Sequence, residues 1–200
     1  MPFDGYRGER LIFFLNLNYK QKTALAQGLF FVLVEVKLWG MDRKIIAVVG
    51  LPASGKTEAI NYLMAKYKYP KVYFGSITFD EMKIRGLEIN EQNERLTRED
   101  LRLKHGKLYY AEKIIEKISA MQNERVVLVE SLYSWDEYLS FKRKFGSSFQ
   151  VMSVYASPKT RYARLVNRAV RPLKTTEEAQ SRDYAQIENL SQAGPIAVAD

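Results

Sequence analysis

Eight consecutive residues carry the most specific chemistry in the chain: Gly50, Leu51, Pro52, Ala53, Ser54, Gly55, Lys56 and Thr57. The order is glycine, four residues, glycine, lysine, hydroxyl, and it builds a phosphate cradle. Gly50 and Gly55 let the backbone turn tightly and aim N–H groups at phosphate oxygens. A helix starting at Gly55 points its positive end at the same anion. Lys56 then reaches the β- and γ-phosphates, and the Thr57 hydroxyl is placed to ligate Mg²⁺. All eight residues are therefore expected to bind a nucleoside triphosphate, with Lys56 also acting in catalysis.

Such a cradle works with an acid at the end of a neighbouring strand, near the metal. Val126-Val127-Leu128-Val129-Glu130 supplies Glu130 there, so Glu130 joins Thr57 as a metal residue and Lys56 as a catalytic one. Asp80 and Glu81 follow a second short strand and are candidates for the same cleft. Arg161, Arg164 and Arg168 recur at spacings of three and four, which puts them on one face of a helix, with Tyr162 and Leu165 turned to the core. Arg171 follows, and Arg182 lies on the last helix. Phosphoryl transfer spreads negative charge that arginines neutralise. Arg164 and Arg168 are assigned to catalysis, and Arg161 and Arg171 to nucleotide binding.

The elements that must hold these residues alternate strand and helix. Ile45–Val49 is a β-branched run suited to a strand buried on both faces. A helix over 56–67 follows, then a strand at 72–74 and a short helix over 79–85 ending at Gly86. Residues 87–96 read as a loop. Thr97-Arg98-Glu99-Asp100 resembles a capping box that opens a long helix to about Met121. After the 126–129 strand, Ser134-Trp135-Asp136-Glu137 is a second box. A strand over 149–155, a helix begun by Ser157-Pro158 and a helix over 175–190 complete the series. Ile196-Ala197-Val198-Ala199 reads as the start of a fifth strand, cut short. The prediction is a three-layer α/β/α class, with a five-stranded parallel sheet and a small helical lid.

Composition narrows the chemistry. The chain of 200 residues has no cysteine and one histidine, His105. That excludes disulfides, thiolate metal sites, cysteine nucleophiles and His-based triads, and it fits a cytoplasmic setting. The net charge of +8 suits phosphate-bearing partners. The positive residues are dispersed, without a nucleic-acid tail or an aromatic–basic single-strand motif. The most apolar stretch, 24–39, contains Gln27, Glu35 and Lys37 and does not read as a membrane span. No signal-peptide pattern opens the chain. Residues 1–40 differ in texture and are expected to be an upstream extension, not native, ahead of a domain over 41–200.

Taken in order, several features resemble the small P-loop kinases related to adenylate kinase and dephospho-CoA kinase. The nearest likeness is to a mainly archaeal group of adenylate-kinase-like P-loop proteins. These features are Gly50–Thr57, Phe74-Gly75, Glu81 through Gly86-Leu87, Val126–Glu130, Ala156-Ser157-Pro158-Lys159-Thr160-Arg161, Arg164, Arg168 and Arg182-Asp183. The resemblance covers roughly 44–200. It implies ATP and Mg²⁺, a lid around Arg164, Arg168 and Arg171, and an adenine near Ala156-Ser157-Pro158. It also implies an acceptor pocket between the second strand and the long helix, and a nucleotide-like acceptor such as a nucleoside monophosphate or dephospho-CoA. A monomer or weak homodimer without membrane or nucleic-acid partners is expected.

The departures fall on the acceptor side. The pattern has Gly-Asp where this chain has Gly75-Ser76, and an arginine where it has Phe79. It has Asp-Gly-x-Arg where this chain has Glu130-Ser131-Leu132-Tyr133. Three readings stand: a small-molecule kinase, an ATP-binding regulator or inactive relative, and a nucleic-acid-end kinase.

Overall fold

A short apolar β-branched run with no polar alternation suits a strand covered on both faces. In the computed structural model, which describes residues 11–12, 35–36, 43–169 and 172–200, that run is β1, Lys44–Val49, buried throughout. Next come α1, Lys56–Tyr67, β2, Lys71–Tyr73, α2, Gly75–Ile84, and α3, Glu91–His105. They are followed by α4, Tyr109–Ala120, β3, Val126–Glu130, α5, Trp135–Phe145, and β4, Phe149–Ser153. The helices α6, Pro158–Asn167, α7, Thr176–Leu190, and α8, Ala193–Ala197, close the series. Leu11–Ile12 and Glu35–Val36 pair as two-residue antiparallel strands. The expected 1–40 extension otherwise lies outside the described residues.

The sheet is parallel, in the order β2-β3-β1-β4. From β1 the chain crosses to the β2 edge, and from β3 it crosses back to β4. The strand order therefore reverses between β1 and β3, and ligands of open α/β sheets bind at that reversal, beyond the carboxyl ends of the strands.

Alternate residues serve the two faces. Ile45, Ala47, Val49, Val127 and Val129 pack with Leu101, Ile114, Ile118 and Phe141 from α3, α4 and α5. Ile46, Val48, Val126 and Leu128 pack with Ala59, Ile60 and Leu63 of α1. By the same parity Glu130 faces α1, which is how it meets Thr57.

Among the described residues four strands form the sheet, not the expected five. Residues 193–197 are helical, because Pro195 lacks the N–H that a ladder needs and Ile196 packs into the core instead. Gly194 allows this turn to press on Trp135, where a Cβ would lie 2.7 Å from the indole. Asp200 hydrogen-bonds to the sheet edge. Its N–H donates to the Val151 carbonyl at 2.9 Å, and its carboxylate accepts the Val151 N–H at 2.8 Å.

The expected loop over 87–96 and the Thr97 helix start are also corrected. Asn90 is the cap of α3, its side chain accepting the Asn93 N–H at 2.9 Å, and Thr97 is buried in mid-helix. The expected long helix is two, broken at Gly106, whose φ of +91° only glycine adopts readily. α2 begins at Gly75 rather than Phe79. The other caps stand where the sequence puts them. Ser134 and Glu137 form a reciprocal box, Ser157 precedes Pro158 at the start of α6, and Thr175 accepts the Glu178 N–H. His105 is exposed and stacks on Tyr109 at 4.5 Å.

Candidate nucleotide-binding site

Between β1 and α1 the backbone takes conformations that side chains resist. Gly50 has φ +147° and Gly55 φ +107°. A Cβ at Gly50 would lie 2.4 Å from the Val154 carbonyl oxygen, so the loop is pressed against the end of β4. Ala53 is held at φ +58° without being glycine, a local strain of the kind concentrated at ligand sites. Gly55 caps α1 with no side-chain hydrogen bond, which leaves the first-turn N–H groups for an anion. Ser54 is buried, and its hydroxyl has no hydrogen-bond partner among the described residues.

Lys56 folds over the loop, donating to the carbonyls of Gly50 at 2.8 Å and Leu51 at 3.0 Å. Burial pushes its ammonium down from 10.5 to about 8, with Arg161 and Arg182 adding to the fall while Glu130 and Asp183 oppose it. Gln192, just before α8, also donates to the Gly50 carbonyl, at 3.2 Å.

The Thr57 hydroxyl donates to Glu130 Oε1 at 3.0 Å. Hard oxygen donors at this spacing fit Mg²⁺, which binds through one or two protein groups and keeps most of its waters and phosphate oxygens. No group of three or more His, Cys, Asp or Glu gathers among the described residues. Asp80 and Glu81 do not join the pair: Asp80 accepts from Lys117 at 3.2 Å, and Glu81 accepts from Arg85 at 2.7 Å. Instead Glu130 Oε2 accepts from Lys71 at 2.8 Å, a lysine that belongs to no motif in the sequence. Lys71 lies opposite Leu128 in the β2–β3 register, on the face that Glu130 shares, so only strand pairing reveals the contact.

The arginines divide. Arg161 is buried and forms a forked pair with Asp183, at 2.9 and 2.5 Å. It also donates to the carbonyls of Ala156 at 3.0 Å and Pro52 at 3.3 Å. It therefore lies on the core side of α6 with Leu165, bracing the loop from behind. Arg164 is half-buried and donates to the Ala53 carbonyl at 3.1 Å. Arg168 does not share its helical face, because α6 ends at Asn167 and Arg168 is extended. Arg171 lies outside the described residues. Arg182 of α7 is near enough to lower the Lys56 pKa.

Residues 46–185 match the AAA_18 family, an AAA domain. The chain belongs to this family. A UPF0200 protein of Hyperthermus butylicus is 33% identical over 162 residues, 80% of this chain and 84% of that protein. A UPF0200 protein of Methanosarcina mazei is 36% identical over 125 residues, 62% of this chain. That match spans 66% of the relative's length, just under two thirds. The crystal structure of shikimate kinase from Bacteroides thetaiotaomicron shares the fold, with a TM-score of 0.50 and 14% identity. It covers 78% of this chain and 84% of that chain. The expectation of a kinase-like P-loop protein with archaeal relatives therefore holds for family and fold.

The residues that depart from the resembled pattern are each engaged within the chain. Ser76 accepts a hydrogen bond from Lys117 at 3.1 Å, and Phe79 packs against Tyr73 with ring centroids 6.3 Å apart. Tyr133 donates to the Ser131 hydroxyl at 3.0 Å, and burial raises its phenol pKa. Ser131 has φ +71°, at the place where the resembled pattern has glycine. Ser131 thus holds a left-handed conformation that ordinarily favours glycine. No helix among the described residues is long and apolar enough to cross a membrane.

Proposed function

We propose that the chain is a cytoplasmic phosphotransferase. ATP·Mg²⁺ occupies the loop Gly50–Thr57, and the γ-phosphate passes to a small nucleotide-like acceptor, a nucleoside monophosphate or a dephospho-CoA type. The observation that carries this reading is the convergence of Lys56, Thr57 and Glu130 at the reversal of the sheet, with Thr57 and Glu130 3.0 Å apart.

Lys56 holds the β- and γ-phosphates, and the open N-terminus of α1 receives the chain of phosphates. Thr57 and Glu130 would hold Mg²⁺, which when bound would neutralise charge on the phosphate oxygens. Arg164 and Arg182 approach from α6 and α7 to offset the charge on the phosphoryl group in flight. An acceptor oxygen attacks the γ-phosphorus in line, its bond to phosphorus forms as the bond to the bridging oxygen breaks, and ADP leaves. Incubation with γ-labelled ATP, MgCl₂ and a panel of nucleoside monophosphates, nucleosides and dephospho-CoA tests this. Label should move to one acceptor class and fail to move in Lys56→Ala.

A second reading has its own support. Ser76, Phe79 and Tyr133 carry no positive charge where the resembled pattern has an acid and two arginines, and they are engaged with Lys117, Tyr73 and Ser131. Tight ATP binding with no label transferred would identify an ATP-binding regulator instead.

A further inference from the structure

Glu130 is occupied on both oxygens by the chain itself. It is buried at the carboxyl end of β3. Oε1 accepts the Thr57 hydroxyl at 3.0 Å, and Oε2 accepts the Lys71 ammonium at 2.8 Å. A buried carboxylate is costly unless it is paired. Lys71 is the cation in ion-pair contact with Glu130, and the pairing is built into the sheet. Register sets Lys71 opposite Leu128, so its stem leaves on the face of Glu130 and runs one residue pair towards the strand ends.

The phosphate cradle has no need of this second lysine. Lys56 already serves the loop, and the arginines arrive from α6 and α7. A full positive charge held on Glu130 Oε2 opposes any divalent ion that approaches the Thr57–Glu130 pair. About a quarter of the Lys71 side chain is exposed, its relative exposure being 27%. Its flexible stem can therefore carry the ammonium out into water.

We infer that Lys71 is an internal counter-cation that holds Glu130 in the metal-free protein and that Mg²⁺ must displace. It is a positioning residue that sets the Mg²⁺ concentration at which nucleotide binds. The inference rests on the reading of the loop as an ATP·Mg²⁺ site.

The test uses the full chain and reads binding rather than turnover. A fluorescent ATP analogue is held below saturation while MgCl₂ is titrated, for wild type, Lys71→Met, Lys71→Gln and Lys71→Arg. The Met and Gln variants should reach half-maximal binding at about fivefold less Mg²⁺, the change expected for losing a partly exposed ion pair. Lys71→Arg should stay within about twofold of wild type, since its charge can still pair. A merely structural role would lower melting temperature without moving the Mg²⁺ midpoint. An unchanged or raised midpoint in the Met and Gln variants, with wild type binding normally, overturns the inference alone. A wild type that binds no nucleotide at any MgCl₂ concentration overturns the ATP site and the inference together.

Discussion

Replacing Asp183 with alanine removes the one carboxylate that answers a buried guanidinium. Arg161 and Asp183 are each 2% exposed, and two hydrogen bonds join them. After the substitution Arg161 keeps only the carbonyls of Ala156 and Pro52. Breaking a buried pair from one side costs about 3–5 kcal/mol, mostly from the stranded charge. For a chain of this length that lowers melting by about 6–20 °C. Removing both charges together, as Arg161→Met with Asp183→Leu, should recover most of the loss, leaving a cost of about 1–2 kcal/mol. The residue arises because two carbonyls lose their donor. Urea unfolding at pH 7 of wild type, Arg161→Met, Asp183→Leu and the double variant gives the cycle, with Asp183→Ala measured beside it. A single-variant cost under about 1 kcal/mol, or a double variant as unstable as the sum of the singles, would refute the reasoning.

Three further outcomes follow. Since Lys56 is lowered to about 8 and phosphate favours its charged form, its protonated share falls from about nine-tenths at pH 7 to about one-tenth at pH 9. ATP affinity should then fall about tenfold over that window, while Lys56→Arg, which keeps its charge, stays nearly flat by fluorescence titration. Thr57→Val removes the hydroxyl on Glu130 and should weaken Mg²⁺-dependent ATP binding about tenfold by calorimetry, with little change in melting. Lys68 caps α1 with φ +59°, so Lys68→Gly should stabilise by about 0.5–1 kcal/mol, read as a rise of about 1–4 °C in melting.

Local grammar made the donor side legible. Gly50, Gly55, Lys56 and Thr57 each have one backbone or chemical reason to stand where they do, and Glu130 ends an apolar run at the expected place. Ser134, Ser157 and Thr175 were readable as caps because their partners lie within four residues. Thr97 carries the same residue types as a cap, yet sits inside α3, because a capping box and a polar stretch of buried helix look alike in one dimension. Residues 196–199 are apolar enough for either strand or helix; Ile196 packs against the core, and Ile196 and Ala197 end as the last turn of α8. The pairings of Lys71 with Glu130 and of Asp183 with Arg161 could not be read from sequence. One depends on the β2–β3 register and the other on α7 packing against α6, both contacts between distant segments.

The central claim is that Gly50–Thr57 is an ATP·Mg²⁺ site organised by Lys56. Calorimetric titration of ATP in MgCl₂, for wild type beside Lys56→Ala, tests it most directly. The account predicts saturable binding by wild type and an affinity at least about tenfold weaker in the variant, the loss expected for a charged hydrogen-bonding group. Equal affinity in the two proteins, or no binding by wild type, would contradict it.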